Sequence, residues 1–141
     1  MKRFLVGAIL LLILSGCQSY ETMSLLDESV ETVNVSESQG RGDMNQEILH
    51  SFNKEKELKF WERAITNARL QSGGEALDNP DYDVMVEYKA EDAARLPTHA
   101  IHLWLGKEGE KSYFMYIEGD GVYETSAKVT KEMREYLLSG E

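Results

Sequence analysis

One cysteine, Cys17, stands in 141 residues, with three histidines, two prolines and no apolar run near the length of a bilayer. A single thiol excludes any disulfide within the chain, so the domain must rest on its apolar core. The longest apolar run, Phe4 to Leu14, has eleven residues. A spanning helix needs about 20. Basic residues are also scarce, 15 against 25 acidic, for a net charge of −10. Such a surface repels nucleic acid and anionic lipid headgroups, which excludes a phosphate-tracking function and any nucleic-acid partner. Catalytic signatures are missing too. There is no Gly-x-Ser-x-Gly elbow, no phosphate-cradling glycine loop and no His-Glu-x-x-His, and the sequence implies no cofactor.

What is present begins at the N-terminus. Lys2 and Arg3 precede the apolar run, and Ser15-Gly16-Cys17 follows it. A charged start, a short apolar middle and small residues before a cleavage point make a secretory signal. Leu14-Ser15-Gly16-Cys17 resembles the lipobox of bacterial lipoproteins. That resemblance implies acylation of the Cys17 thiol, cleavage before it, and a partner in membrane lipid. A plain secretion signal ending in cysteine and an uncleaved anchor helix are the alternatives. Cleavage takes sixteen residues from 141 and leaves 125, enough for one domain. It also leaves 13 basic against 25 acidic side chains, a net of −12. Acyl chains then provide the anchor without a basic patch, at about 0.8 kcal/mol per buried methylene.

The expected organisation is a signal at 1–16, the lipidated cysteine and a polar tether at 17–29, and one globular domain at 30–141. Thr22–Leu26 could instead dock on that domain. Val33 and Val35 share a face of a first strand, and Glu47–Phe52 suits a second. Arg41-Gly42-Asp43 spells an integrin-binding tripeptide, read here as chance within a glycine turn. Asn53 is a candidate N-cap. Leu58, Trp61, Ile65 and Ala68 then form one stripe of a helix ending at Ser72-Gly73-Gly74. From Tyr82 the period becomes two: Tyr82–Tyr88, His99–Leu105, Lys111–Glu118 and Val122–Thr125 predict a four-stranded antiparallel meander. Ser126 caps a final helix with Val129, Met133, Tyr136 and Leu137 on one face. The class is α+β, an antiparallel meander of four to six strands with two helices packed on one face.

Chemistry is harder to find. His99 and His102 lie three apart on one strand, so they point to opposite faces and cannot share a metal. Asp78, Asp81 and Asp83 could suggest Ca²⁺, but the alternating EF-hand ligand order is missing. An Asx-type turn is the other reading. Trp104, Phe114 and Tyr116 are read as one face of adjacent strands. If the helices cover the other face, these three form an exposed binding patch; otherwise curvature, the tether or loops cover them.

Tyr82–Tyr88, His102-Leu103-Trp104-Leu105 and the step Gly121-Val122-Tyr123-x-x-Ser126-x-x-x-Thr130-x-x-Met133 resemble the small YhfM-like lipoproteins of Gram-positive bacteria. The resemblance covers roughly the last 85 residues and implies location and architecture, with no catalytic residue. The expectation is a lipid-anchored, extracytoplasmic, non-enzymatic domain that binds an envelope protein or component. A small-molecule or metal-ion binder and an envelope hydrolase are the alternatives.

Overall fold

The computed structural model describes residues 21–72, 77–90 and 98–139. Seven strands form one antiparallel sheet: β1 Val30–Glu37, β2 Ile48–Phe52, β3 Arg69–Leu70, β4 Tyr82–Tyr88, β5 His99–Trp104, β6 Ser112–Tyr116 and β7 Tyr123–Thr125. Two helices complete the fold, α1 Glu55–Thr66 and α2 Ala127–Leu138. The spatial order is β2-β1-β4-β5-β6-β7-β3. The meander β4 to β7 therefore forms as its alternating residues predict, and β1 pairs beside β4 with β2 outside it. Seven strands exceed the expected four to six because Arg69–Leu70 adds an edge strand beside β7.

Register decides which residues meet. Val33 lies opposite Val86, Val35 opposite Val84, Val84 opposite Ile101 and Leu103 opposite Phe114. These side chains form one face of the sheet. They cluster with Trp61, Ala64 and Ile65 of α1 and Met133 and Leu137 of α2, all buried. Both helices thus cover the same face, and Tyr136 of α2 packs its ring against Phe52 and Phe60.

Helix boundaries follow local chemistry. Lys54, not Asn53, is the N-cap of α1, where the Glu57 carboxylate accepts from the Lys54 N–H at 3.1 Å. Glu55 and Glu57 occupy the first turn, where the helix dipole favours anions. The helix stops at Thr66, six residues before Ser72; the expected stop at Gly73-Gly74 lies outside the described residues. Arg69 and Leu70 leave the helical register because their backbone groups pair in the sheet instead. Ser126 caps α2 as expected, its hydroxyl accepting from the Val129 N–H. Thr130, polar and fully buried on the inner side of α2, lies 2.6 Å from the Ser112 hydroxyl.

Of the expected tether at 17–29, residues 21–29 are described. From Glu21 onward the chain lies on the domain. Met23 is buried in the core, Thr22 bridges Arg69, the Leu70 N–H donates to the Glu21 carbonyl and the Met23 N–H to that of Ala68. This segment covers the outer side of β3.

Candidate functional site

The face away from the helices carries the residues whose chemistry stands out. Ser36, Asp83, His102 and Met115 lie in one row across β1, β4, β5 and β6. Alternation sends them to the side opposite Val35, Val84, Ile101 and Leu103. Asp83 and His102 are both fully buried, and Asp83 Oδ1 lies 2.8 Å from His102 Nδ1. Asp83 Oδ2 accepts the Asn45 N–H at 2.9 Å, and the Ser36 hydroxyl donates to the Asn45 carbonyl. The β1–β2 connection is thereby fastened across the row. With its hydrogen on Nδ1 facing the carboxyl, the imidazole presents Nε2 as a bare acceptor, and Nε2 is buried with no partner among the described residues.

Trp104 closes the neighbouring position. Its ring stands edge-on to His102, its indole N–H donates to the Asp78 carbonyl at 2.6 Å, and the Arg41 guanidinium lies 5.3 Å from its centroid. Arg41 also donates to the Leu77 carbonyl. The Arg41-Gly42-Asp43 turn therefore serves packing, its arginine held over an aromatic ring. The pieces that cover this end of the second face are thus the β1–β2 connection and the chain around Asp78.

Trp104, Phe114 and Tyr116 do not form one patch. Leu103, not Trp104, is opposite Phe114, and Ile101 is opposite Tyr116, which puts Phe114 and Tyr116 on the helix face. Phe114 is fully buried, and Trp104 on the other face is nearly so. The pairing offset between strands fixes this, and alternation within each strand does not carry that information. Tyr116 is half-buried and holds the N-terminal segment, its hydroxyl accepting from the Ser24 N–H and donating to the Ser24 carbonyl, both at 2.7 Å.

The three aspartates also separate. Asp83 faces His102, Asp81 Oδ2 accepts the Leu105 N–H at 2.9 Å, and Asp78 contributes its backbone carbonyl to Trp104. Among the described residues no three His, Cys, Asp or Glu side chains converge to hold a metal ion. His99 and His102 lie on opposite faces, as their spacing requires.

His99 sits beside the docked segment. The Tyr88 hydroxyl accepts the Leu26 N–H at 3.1 Å and lies 2.6 Å from His99 Nδ1. With the imidazole hydrogen on Nε2, the hydroxyl donates to Nδ1, and one tyrosine links two segments. Burial pushes the His99 pKa below its ordinary value and raises that of Tyr88.

A fold of this kind is found in a thioesterase-like protein from Clostridium sporogenes ATCC 15579. The two superpose with a TM-score of 0.62 over 84% of this chain and 99% of that one, at 12% identity. At that identity the likeness is one of fold. Residues 1–18 match the prokaryotic membrane lipoprotein lipid attachment site. The protein is thus a lipoprotein, held at a membrane through lipid on Cys17. No curated protein matches the chain. Among the described residues no helix is long and apolar enough to cross a membrane.

Two outcomes follow from this geometry. Replacing Asp83 with Asn leaves one acceptor where the Asn45 and His102 N–H groups require two. Urea denaturation of Asp83→Asn is expected to show a loss of about 1–3 kcal/mol; an unchanged midpoint would remove the pair from the stabilising set. For His99, a depressed folded pKa means the unfolded chain binds the proton more tightly. Its contribution is then complete above about pH 6.5 and is lost as pH falls through the lower folded value. Between pH 7.5 and 5 the melting temperature should fall more for the native chain than for His99→Gln, and parallel curves would contradict that assignment.

Proposed function

We propose that this lipoprotein is a non-enzymatic binding domain on the extracytoplasmic face of the membrane, recognising an envelope protein or component. The observation that carries the reading is the outer strand β2, where Ile48 and Leu49 are 54% and 51% exposed, the exposed large hydrophobics among the described residues. Apolar side chains left in water next to an unpaired strand edge suit recognition of another chain. The groups with chemical potential are engaged inside the fold instead, Asp83 with His102 and Asn45, and Asp81 with the Leu105 backbone. The resemblance to YhfM-like lipoproteins of Gram-positive bacteria fits this location and adds no activity.

Anchor position supports the orientation. Three residues lie between Cys17 and the docked Glu21, and the four steps span at most about 14 Å when fully extended. The β3 side of the sheet is therefore held near the acyl chains. β2 lies six interstrand spacings away, roughly 29 Å at about 4.8 Å each.

An envelope hydrolase is the second reading. The unpartnered Nε2 of His102, oriented through its Asp83 contact, is the observation in its favour. Complete burial of both side chains counts against it, because a substrate has to reach that nitrogen.

Crosslinking of the native lipidated protein in whole cells, followed by mass spectrometry, tests the first reading. A reproducible envelope partner is expected; only background lipoproteins, with lipid confirmed on Cys17, would count against it. Purified protein assayed on acyl esters and thioesters separates the second. No turnover above buffer is expected, whereas turnover abolished in His102→Gln would establish the hydrolase.

A further inference from the structure

The two edges of the sheet are treated differently. At the β3 edge, Thr22 bridges Arg69 and the Glu21 and Ala68 carbonyls take N–H bonds across the gap, so the chain closes that edge with its own N-terminal segment. At the other end, β2 joins the sheet through β1 alone, and no described residue pairs with its outer side. Natural edge strands are commonly blunted by lysine or proline. Ile48-Leu49-His50-Ser51-Phe52 contains neither. His50 pairs with Val35 and Ile48 with Ser36, so Leu49 is the additional residue of a bulge. The bulge itself partly blunts the edge and leaves a short regular ladder, which accommodates a short strand.

Charge at the Ile48 end of this edge is acidic, whereas the exposed Lys54 and Lys56 follow its Phe52 end. Glu47 immediately precedes β2, Asp43 lies four residues earlier, and Glu37 ends β1 beside Ser36, the partner of Ile48. All three acidic side chains are exposed. The Asn45 amide donates to the Glu37 carbonyl, which draws these residues to one end of the edge. Arg41, the cation nearest in sequence to these three carboxylates, is held over Trp104 and bonded to Leu77.

Building on the binding-domain reading, we infer that β2 accepts an extended segment of a partner protein as an added strand. Aliphatic residues of that segment would contact Ile48 and Leu49, and lysine or arginine would face Glu37, Asp43 and Glu47. Main-chain hydrogen bonds supply affinity in this mode, and alternate side chains supply selectivity. A second copy of this chain is the weaker occupant, because each mature copy carries a net charge of −12.

The test uses the full lipidated chain in phosphatidylcholine vesicles and a fluorescein-labelled decapeptide of alternating valine and lysine. Anisotropy is expected to show binding that weakens at least tenfold for Leu49→Lys and for Ile48→Lys. It should also weaken several-fold for Glu47→Lys and in 0.5 M salt, while the valine–glutamate decapeptide does not bind. Both β2 substitutions fall at exposed positions, and unchanged melting temperatures will show that the fold is kept. Equal binding of the two peptides, equal binding by the native chain and both β2 variants, or no binding of the cationic peptide would each overturn the proposal. A dimer dissolved by Leu49→Lys, with no peptide bound, would overturn it in favour of self-association. A partner crosslinked in cells whose capture ignores Leu49→Lys overturns the edge assignment alone and leaves the binding-domain reading standing.

Discussion

The pairing of β1 with β4 is the constraint on which most of this molecule depends. Val30–Glu37 lies antiparallel to Tyr82–Tyr88, from Val30 opposite Tyr88 to Glu37 opposite Tyr82, although 44 residues of chain separate the strands. Closing so long a loop costs conformational entropy before any contact is gained. The return is burial on both faces: Val33 and Val35 enter the helix-covered core, and Ser36 takes its place beside Asp83. The same pairing carries the β1–β2 connection across the second face, where Asn45 meets the Asp83 carboxyl. It also leaves β2, and not a meander strand, at the outer edge.

Burial of a carboxyl and an imidazole in that second face is costly unless their hydrogen-bonding groups are matched. Asp83 is fully matched, with one oxygen to His102 and the other to Asn45. His102 is half matched. Its Nε2, with the Trp61 indole N–H on the helix face and the Asn34 side-chain oxygen Oδ1, belongs to a small set of buried side-chain polar atoms without partners among the described residues. Position as well as chemistry thus defines this His–Asp pair, both side chains being fully buried. An imidazole sealed beneath Trp104 and the β1–β2 connection holds strands and loop together.

Anchor and fold also act together. A lipidated cysteine followed by a free polar segment would let the domain range widely from the membrane. Docking of Glu21–Leu26 shortens that leash, and it relies on tyrosines of the sheet: Tyr116 bonds both backbone groups of Ser24, and Tyr88 takes the Leu26 N–H. Fixing the anchored edge fixes which edge stays open.

The N-terminal signal, the acidic balance, the alternation of β4 to β7, and the apolar stripes and Ser126 cap of the helices were legible in the chain, because each is a local pattern. α+β class followed from them. Three features were not legible. The strand Arg69–Leu70 is too short to show a period, and it exists because β7 and the Glu21–Met23 segment offer it partners. The face shared by Phe114 and Leu103 depends on the offset between two strands, which no single strand encodes. The Asp83–His102 contact joins residues nineteen apart, on a face that alternation alone marks as solvated. Membrane attachment and every element but Arg69–Leu70 were readable in the chain, since local spacing and charge govern both. Which side chains are sealed and which edge stays open came from the folded arrangement, because strand register and loop crossing set those and both arise from contacts distant in the chain.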